Sequence, residues 1–531
     1  MNNKRIEESL LKSIKGYEHR KSYDSAFKNQ PKGTILDSSS KNIKDKVKRT
    51  KVIDSLKDAI IKAGVKNGMT ISFHHHFRAG DKLVMMVTDL LSEMGIKDIR
   101  IASSSLANCH GGLVEHIKSG VVNRIESSGL RGRLANEISE GILGENPAVI
   151  RSHGGRARAI VEGDLKIDVA FLAASSSDCM GNANGVKGKS ICGSLGYAMV
   201  DAQYADKVIV VTDTLVDYPN FPQSIPQTVV DYVVVVDEIG DSKGIMSGAT
   251  RFTSNPKELL MAKRVLDVML ASGLFKDGFS MQTGSGGASL AVTRFVKEEL
   301  IKQGIKCSYA LGGITKPMVE LLEEGLVKQL YDVQSFDLFA AESVGKNKRH
   351  VEVSADFYAN PFNKSAGVNN LDFVILSALE IDTDFNVNVI SGSDGVIRAA
   401  SGGHSDTAAA AKISILVAPL TRGRISTVID QVTTVVTPGS TVDVVVTDYG
   451  VAVNPNRDDL KEKFIEAGIN VVTLNELRNI AIRLLGTPKE IEFTDEVIAV
   501  IEYRDGSIID VVKKIKNKLI ILMDINSLRI Y

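Results

Sequence analysis

The chain reads as an α/β protein made of two similar halves in tandem, each an open and mostly parallel sheet, and three observations predict this. From Thr50 onward, apolar segments of strand length alternate with helical ones, which is the pattern of parallel strands covered by helices. The alternation breaks near residue 255, at SGATRFTSNPKE, and then starts again. Finally, 531 residues with 44% hydrophobic side chains exceed one ordinary core and suffice for two or three.

The first half, residues 51–255, opens with the helical IDSLKDAIIKAGV, followed by the strand MTISFHH, the helix KLVMMVTDLLSEMG and the strand DIRIASSS. Buried strands recur as DVAFLAASS, KVIVVTD and DYVVVVD. The long helix ELLMAKRVLDVMLASG opens the second half, residues 256–512. There FSMQTGSGG, IKCSYALGG, DFVILSALEI, ISILVAPL, TVDVVVTDYG and INVVTL read as strands, with helices SLAVTRFVKEELIKQG and KPMVELLEEG between the first of them. VIAVIEYRDGSIIDVV alternates with period two around Asp505-Gly506 and predicts a hairpin. Residues 1–50 are Lys-, Ser- and Asn-rich and read as an arm with one short helical stretch, Ile6 to Ile14. Residues 513–531 read as an apolar-basic tail.

Lys+Arg and Asp+Glu are each 64, so no global field favours a nucleic acid or an anionic membrane. The N-terminus lacks the apolar core of a signal peptide, and no apolar run approaches the roughly 18 residues of a membrane span. Cys109, Cys179, Cys192 and Cys307 form no C-x-x-C pair and have no His at ligand spacing. The expectation is a cytoplasmic protein without a metal site or disulfide framework.

Two glycine-rich turns carry the chemistry. FSMQTGSGGASLAV sets Gly284, Gly286 and Gly287 between a strand and a helix, where bare backbone N–H groups can face a phosphate or a developing oxyanion. The spacing is not that of a dinucleotide fingerprint, and a tight turn alone also explains it. A second turn carries Gly402, Gly403, His404 and Asp406 ahead of an alanine run, and Thr447, Asp448, Tyr449 and Gly450 close a later strand. Asp406 and Asp448 read as cap and strand-end residues. His74, His75 and His76 cannot all converge on one ion, because neighbours in a strand point to opposite faces.

The order G-G-H-S-D, buried strand, V-V-V-T-D-Y-G-V-A resembles the C-terminal half of the acetyl-CoA hydrolase and CoA-transferase superfamily. Within it, SFHHHFRAGD, SSLANCHGGLVEHIKSGVV, SGLRGRLANEISEG, HGGRARAI, GSLGYAMVDAQYADKVIVVTD, QTGSGGASLAVTRF and TDYGVAVNP resemble the citrate lyase α chains. The resemblance implies two CoA-transferase-like domains of the phosphosugar-isomerase-like kind. It further implies transfer of a carrier-protein thiol from acetyl to citrate, giving citryl carrier and acetate. The implied partners are a γ subunit bearing a CoA-like phosphopantetheine arm and a β subunit that cleaves citryl thioester to oxaloacetate. No cofactor bound to this chain is implied, acetyl-CoA is a possible surrogate for the carrier, and a homo-oligomer is expected. The active site is expected at the junction of the halves, with the turns near Gly286 and Gly403 stabilising thioester oxyanions.

Citrate is multiply anionic, so its pocket calls for arginines, whose fork matches a carboxylate. The candidates are Arg78, Arg151, Arg156 and Arg158, with His74 and His76 as hydrogen-bonding partners and His404 beside the second turn. The chain departs from the wider superfamily where a nucleophilic Glu is usual: YALGGITKP aligns Gly312 with that position. Two alternatives stay open, a general acyl-CoA:carboxylate CoA-transferase or hydrolase and a non-catalytic carboxylate-binding subunit of the same fold.

Overall fold

The computed structural model describes residues 50–246, 253–284 and 287–516, together with Ser9 and Lys12. The arm, most of the tail, and Gly286 lie outside the described residues.

Two large sheets organise the chain. The first contains β1 (Val52–Ile53), β2 (Thr70–Phe73), β3 (Ile99–Ser103), β4 (Val122–Ser127), β5 (Ala148–Arg151), β6 (Val169–Ala174), β7 (Lys207–Thr212) and β8 (Tyr232–Val235). The second contains β9 (Ser280–Thr283), β10 (Cys307–Ile314), β11 (Val327–Ser335), β12 (His350–Glu352), β13 (Phe373–Leu376), β14 (Ile413–Val417), β15 (Val444–Val446), β16 (Val451–Val453) and β17 (Val471–Val472). Strands such as VAFLAA in β6 are buried at every position, as expected of parallel strands covered on both faces.

The orders are β1-β8-β7-β6-β2-β3-β4-β5 and β12-β11-β10-β9-β13-β14-β15-β16-β17. Within these runs every pairing is parallel except β15 with β16. In both halves the chain steps outward from a central strand and then returns to that strand's other side: β2 lies between β6 and β3, and β9 between β13 and β10. Such a reversal leaves a crevice at the carboxyl ends of the strands, where open α/β sheets bind ligands. The halves also share a core, since Leu311, Val333, Val353 and Tyr358 pack into the cluster that fills the first half.

The hairpin around Asp505-Gly506 forms, as β18 (Phe493–Glu502) and β19 (Ile508–Ile515), with Gly506 at φ 95°. It does not join the second half, to which the sequence pattern assigned residues up to 512. β18 instead runs parallel to β5, placing Ala499 beside Ala148 and Glu502 beside Arg151, and so extends the first sheet. The pairing covers an edge strand and buries Ile498, Ala499, Ile501 and Val512. Local alternation fixes a strand and its faces but not the distant edge it pairs with.

Four helices place the residues discussed below. They are α1 (Gly132–Ser139), α2 (His153–Glu162), α3 (Gly196–Tyr204) and α4 (Pro256–Ala271). Two more follow in the second half, α5 (Gly287–Gln303) and α6 (His404–Ala410).

Candidate active site

His74, His75 and His76 continue from β2 at the reversal of the first sheet, and their side chains diverge. His74 and His76 turn inward with rings 4.6 Å apart. His76 Nε2 donates to the Ala173 carbonyl at 2.8 Å, and both ring nitrogens of His74 lack a hydrogen-bond partner among the described residues. Burial pushes both imidazoles down to about 3, so both are neutral. His75 points the other way, its ring 5.0 Å from Tyr197 and 5.4 Å from His153. Ser104 holds it, accepting from the His75 N–H at 3.0 Å and lying 2.6 Å from Nδ1. Of the histidine triplet, the residue facing the junction is therefore His75, not the expected His74 and His76.

Two arginines share that junction. Arg78 adopts φ 51°, which swings its side chain over the Phe336 ring, 4.9 Å from the centroid, while Nη1 donates to the Ile245 carbonyl at 3.3 Å. Arg131 stands between β4 and α1. Neither meets a carboxylate among the described residues. Burial lowers Arg78 to about 10, helped by the charge of Arg131, and burial lowers Arg131 as well. Both charges also help burial hold His75 far below the usual imidazole range. Desolvated cations without counter-charge are costly, and an anion between them removes that cost.

The other arginines are already committed. Arg156 makes a two-pronged pair with Asp201, Nη1 to Oδ1 at 2.7 Å and Nη2 to Oδ2 at 2.8 Å. Arg151 pairs with Glu126 and, at 2.8 Å, with Glu502. Arg158 pairs with Glu502 at 2.8 Å and with Asp164. These side chains hold the helix, the sheet and the C-terminal hairpin together, and none opens on the junction.

The second glycine turn abuts the cluster. His153, the first residue of α2, donates its N–H to the Gly402 carbonyl at 2.8 Å. On either side of it, Ser152 Oγ and the Gly154 N–H donate to the two oxygens of Asp406 at 2.7 and 2.8 Å. Gly402 is left-handed at φ 57°, and a side chain on Gly403 would begin 2.2 Å from the Tyr358 hydroxyl. His404 faces away from the junction: its Nε2 donates to the Ser377 carbonyl at 3.0 Å, and Nδ1 lies 2.7 Å from Thr437 Oγ1. Burial lowers it to about 4. Both nitrogens are occupied, so in this state the ring braces the turn rather than reaching a reactant.

Behind that brace lies a cleft of about 860 Å³ at the carboxyl ends of β9, β13 and β14, lined by Gly287, Ala288, Ser289, Ser377, Val417 and Arg422. Gly284, at the end of β9, donates to the Ile375 carbonyl at 2.9 Å. Gly312 sits at a β-bulge with φ 110°, and a Cβ there would begin 2.9 Å from the Gln282 side chain. Next to it, Gly313 lies under Phe336, whose ring would be 2.3 Å from a Cβ. Gln334, opposite Gly313, donates to the His75 carbonyl at 2.9 Å and so ties the two halves together at the site. Among the described residues no group of three His, Cys, Asp or Glu side chains could hold a metal ion.

Reasoning from the sequence missed Arg131, His153, Tyr197 and Gln334. Arg131 ends the turn between β4 and α1, and His153 opens α2 shortly after β5, just after an N-capping Ser and before two glycines. That strand–turn–helix position was the available signal.

The family described as "Citrate lyase, alpha subunit (CitF)" matches residues 49–515. The citrate lyase alpha chain of Escherichia coli (strain K12) is 55% identical over 491 residues, 92% of this chain and 95% of that one. A solved structure named as the alpha subunit of citrate lyase from Streptococcus mutans, in complex with citrate, is 59% identical, with a TM-score of 0.87 over 88% of this chain and 92% of that one. A Pseudomonas malonate decarboxylase hetero-tetramer, solved with malonate, shares the fold at 16% identity, with a TM-score of 0.63 over 82% of this chain and 86% of the matched chain.

Proposed function

Since the chain belongs to the citrate lyase alpha-subunit family, we propose that it transfers a carrier-protein thiol from acetyl to citrate, with citrate held between Arg78 and Arg131. The observation that carries this reading is the pair of partly buried guanidiniums, neither met by a carboxylate among the described residues, whose charges act on neutral His75 where the two halves meet. A tricarboxylate supplies the missing charge and fills the remaining donors with oxygen. The relative from Streptococcus mutans was solved with citrate.

In the proposed sequence, a citrate carboxylate oxygen attacks the acetyl carbonyl of the carrier thioester, and the C–S bond breaks to release thiolate. The product is a mixed anhydride of citrate and acetate. The thiolate then attacks the citryl carbonyl and expels acetate, leaving citryl carrier. Bound citrate thus takes the part that an enzyme Glu plays in ordinary CoA-transferases. The chain's task is to hold the reactants at near-attack distance and to stabilise two oxyanions.

The cleft behind the Gly402–His404 turn is the candidate seat for the phosphopantetheine arm of a γ carrier subunit: it has about 860 Å³ and lies at the carboxyl ends of the strands. Acetyl-CoA is the expected surrogate. The reading includes a cytoplasmic complex with a β subunit that cleaves citryl thioester, and a homo-oligomeric α core. Among the described residues no helix is long and apolar enough to cross a membrane.

The test mixes purified chain, acetylated carrier and citrate and follows acetate and citryl carrier. Acetate release that needs citrate supports transfer. Release at the same rate without citrate would make the chain a thioester hydrolase.

A further inference from the structure

The second half grips three consecutive residues of the first: Ser152, His153 and Gly154 each donate a hydrogen bond to Gly402 or Asp406. In such a clamp the backbone around His153 is fixed from both sides, and the imidazole is held by ring contacts, tilted against Tyr197 at 4.4 Å and stacked on His75 at 5.4 Å. Asp406 is fully buried, and Arg504 Nε lies 3.7 Å from its Oδ1, so the clamp has its own counter-charge. This much order around one partly exposed side chain needs a reason.

The ring's surroundings supply it. Nδ1 is buried and without a partner among the described residues, while Nε2 lies 3.9 Å from where a side chain on Gly402 would begin. His153 is only partly buried, and Nε2, unlike Nδ1, is not among the buried nitrogens, so Nε2 is the nitrogen turned out of the core. We infer that His153 is a catalytic residue of the thiol transfer, a neutral imidazole whose Nε2–H donates a hydrogen bond to the tetrahedral oxyanion formed on the acyl carbonyl. The inference rests on the transfer reading above.

Its charge state agrees with that role. Burial, Arg156 and Arg131 push His153 down to about 3, so it stays neutral at working pH and donates a hydrogen bond without giving up its proton. No proton moves in either half of the exchange: carboxylate, thiolate and acetate are all anions. A fixed donor is therefore the suitable group, and an acid–base histidine is not. Its position at the start of α2 adds the field of the helix N-terminus, which also favours a negative oxygen there.

The experiment uses the full chain with acetylated carrier and reads two quantities, the single-turnover rate of acetate release at saturating citrate and the citrate dissociation constant by calorimetry. His153→Phe keeps the stacking and removes the donor. Its rate is expected to fall about a hundredfold, with the citrate constant within about threefold of the original. His153→Gln restores a neutral donor and is expected to recover about a tenth of the original rate or more, with neither rate limited by an ionisation between pH 5.5 and 8. A His153→Phe rate within threefold of the original overturns the assignment, as does a loss of citrate affinity that matches the loss of rate. If His153→Phe does not fold, His153→Gln decides: a hundredfold loss with the donor in place overturns the assignment. Failure of the unaltered chain to transfer at all would refute the underlying reading instead.

Discussion

Arg156 and Asp201 form a buried two-pronged ion pair in which each nitrogen of the fork meets its own carboxylate oxygen, at 2.7 and 2.8 Å, and Nη2 also reaches the Ala102 carbonyl at 3.1 Å. The pair joins α2 to α3 and to β3, directly behind the histidine cluster. Removing one partner leaves a charge uncompensated in the core, which costs about 3–5 kcal/mol. Arg156→Met is therefore expected to unfold at much lower temperature or urea concentration than the unaltered chain. Its folded fraction should bind citrate normally by calorimetry. A stable variant with weakened citrate binding would return Arg156 to the substrate pocket.

Arg78 and Arg131 should behave in the opposite way. Neither charge is met by a carboxylate among the described residues, so Arg78→Met and Arg131→Met relieve repulsion between the two guanidiniums. Charge-assisted hydrogen bonds are worth roughly 1.5–3 kcal/mol each, so each substitution should weaken citrate about ten- to a hundredfold. The KM for the acyl carrier should hardly move. Equal losses for both substrates would mean that the variants disturb the junction generally, and no loss would place citrate elsewhere.

Most of the scaffold was legible because buried parallel strands announce themselves as apolar runs, and VAFLAA, KVIVVT and YVVV fell where the pattern put them. Arg78 was a candidate because it follows a strand end and a multiply charged substrate needs a fork. Arg151, Arg156 and Arg158 were not separable from it by type. What distinguishes them is the presence of Glu126, Asp201 and Glu502, which lie 25 to 351 residues away in sequence from the arginines they pair with. The same limit hid the C-terminal hairpin's place beside β5. His153 was hidden for a different reason: a lone His after a strand is unremarkable until its neighbours prove to be clamped by Asp406.

Stability should depend on pH with a definite sign. His74, His76 and His153 are held at about 3 and His404 at about 4, below the unfolded value near 6.5. Their contribution is present above pH 6.5 and is lost as pH falls towards those values. Burial raises Asp406 to about 6 and Glu352 to about 7, which works the other way, with stability present near pH 4 and lost as pH rises through 6 and 7. The histidines outnumber the acids. With His75 also held far below the usual imidazole range, unfolding around pH 5.5 should take up protons on balance, so stability rises with pH there. Urea midpoints should rise steeply from pH 4.5 to 6.5, and a flat or falling profile would show that these imidazoles are not buried in the neutral form.

The last prediction concerns the order of chemical events and follows from Gly312. Its φ of 110° is one that residues with side chains rarely adopt, and Gln282 fills the space a Cβ would need. Gly312→Glu should consequently destabilise the chain without creating a nucleophile. The nearby glutamates offer no substitute, because Glu320, Glu324 and Glu342 pair with Lys316, Lys297 and Lys346 on helix surfaces, and Glu323 is exposed beside them. If none of these carboxylates carries the acyl group, citrate and acetyl carrier must be bound together. Initial-rate lines should intersect, as for a ternary complex, rather than run parallel as in ping-pong exchange. Borohydride or hydroxylamine added with acetyl carrier alone should leave the chain active, since neither finds an enzyme thioester to trap. Parallel lines together with a modified glutamate peptide would show that an enzyme anhydride forms after all, and the position of that peptide would identify the residue that replaces the one missing at Gly312.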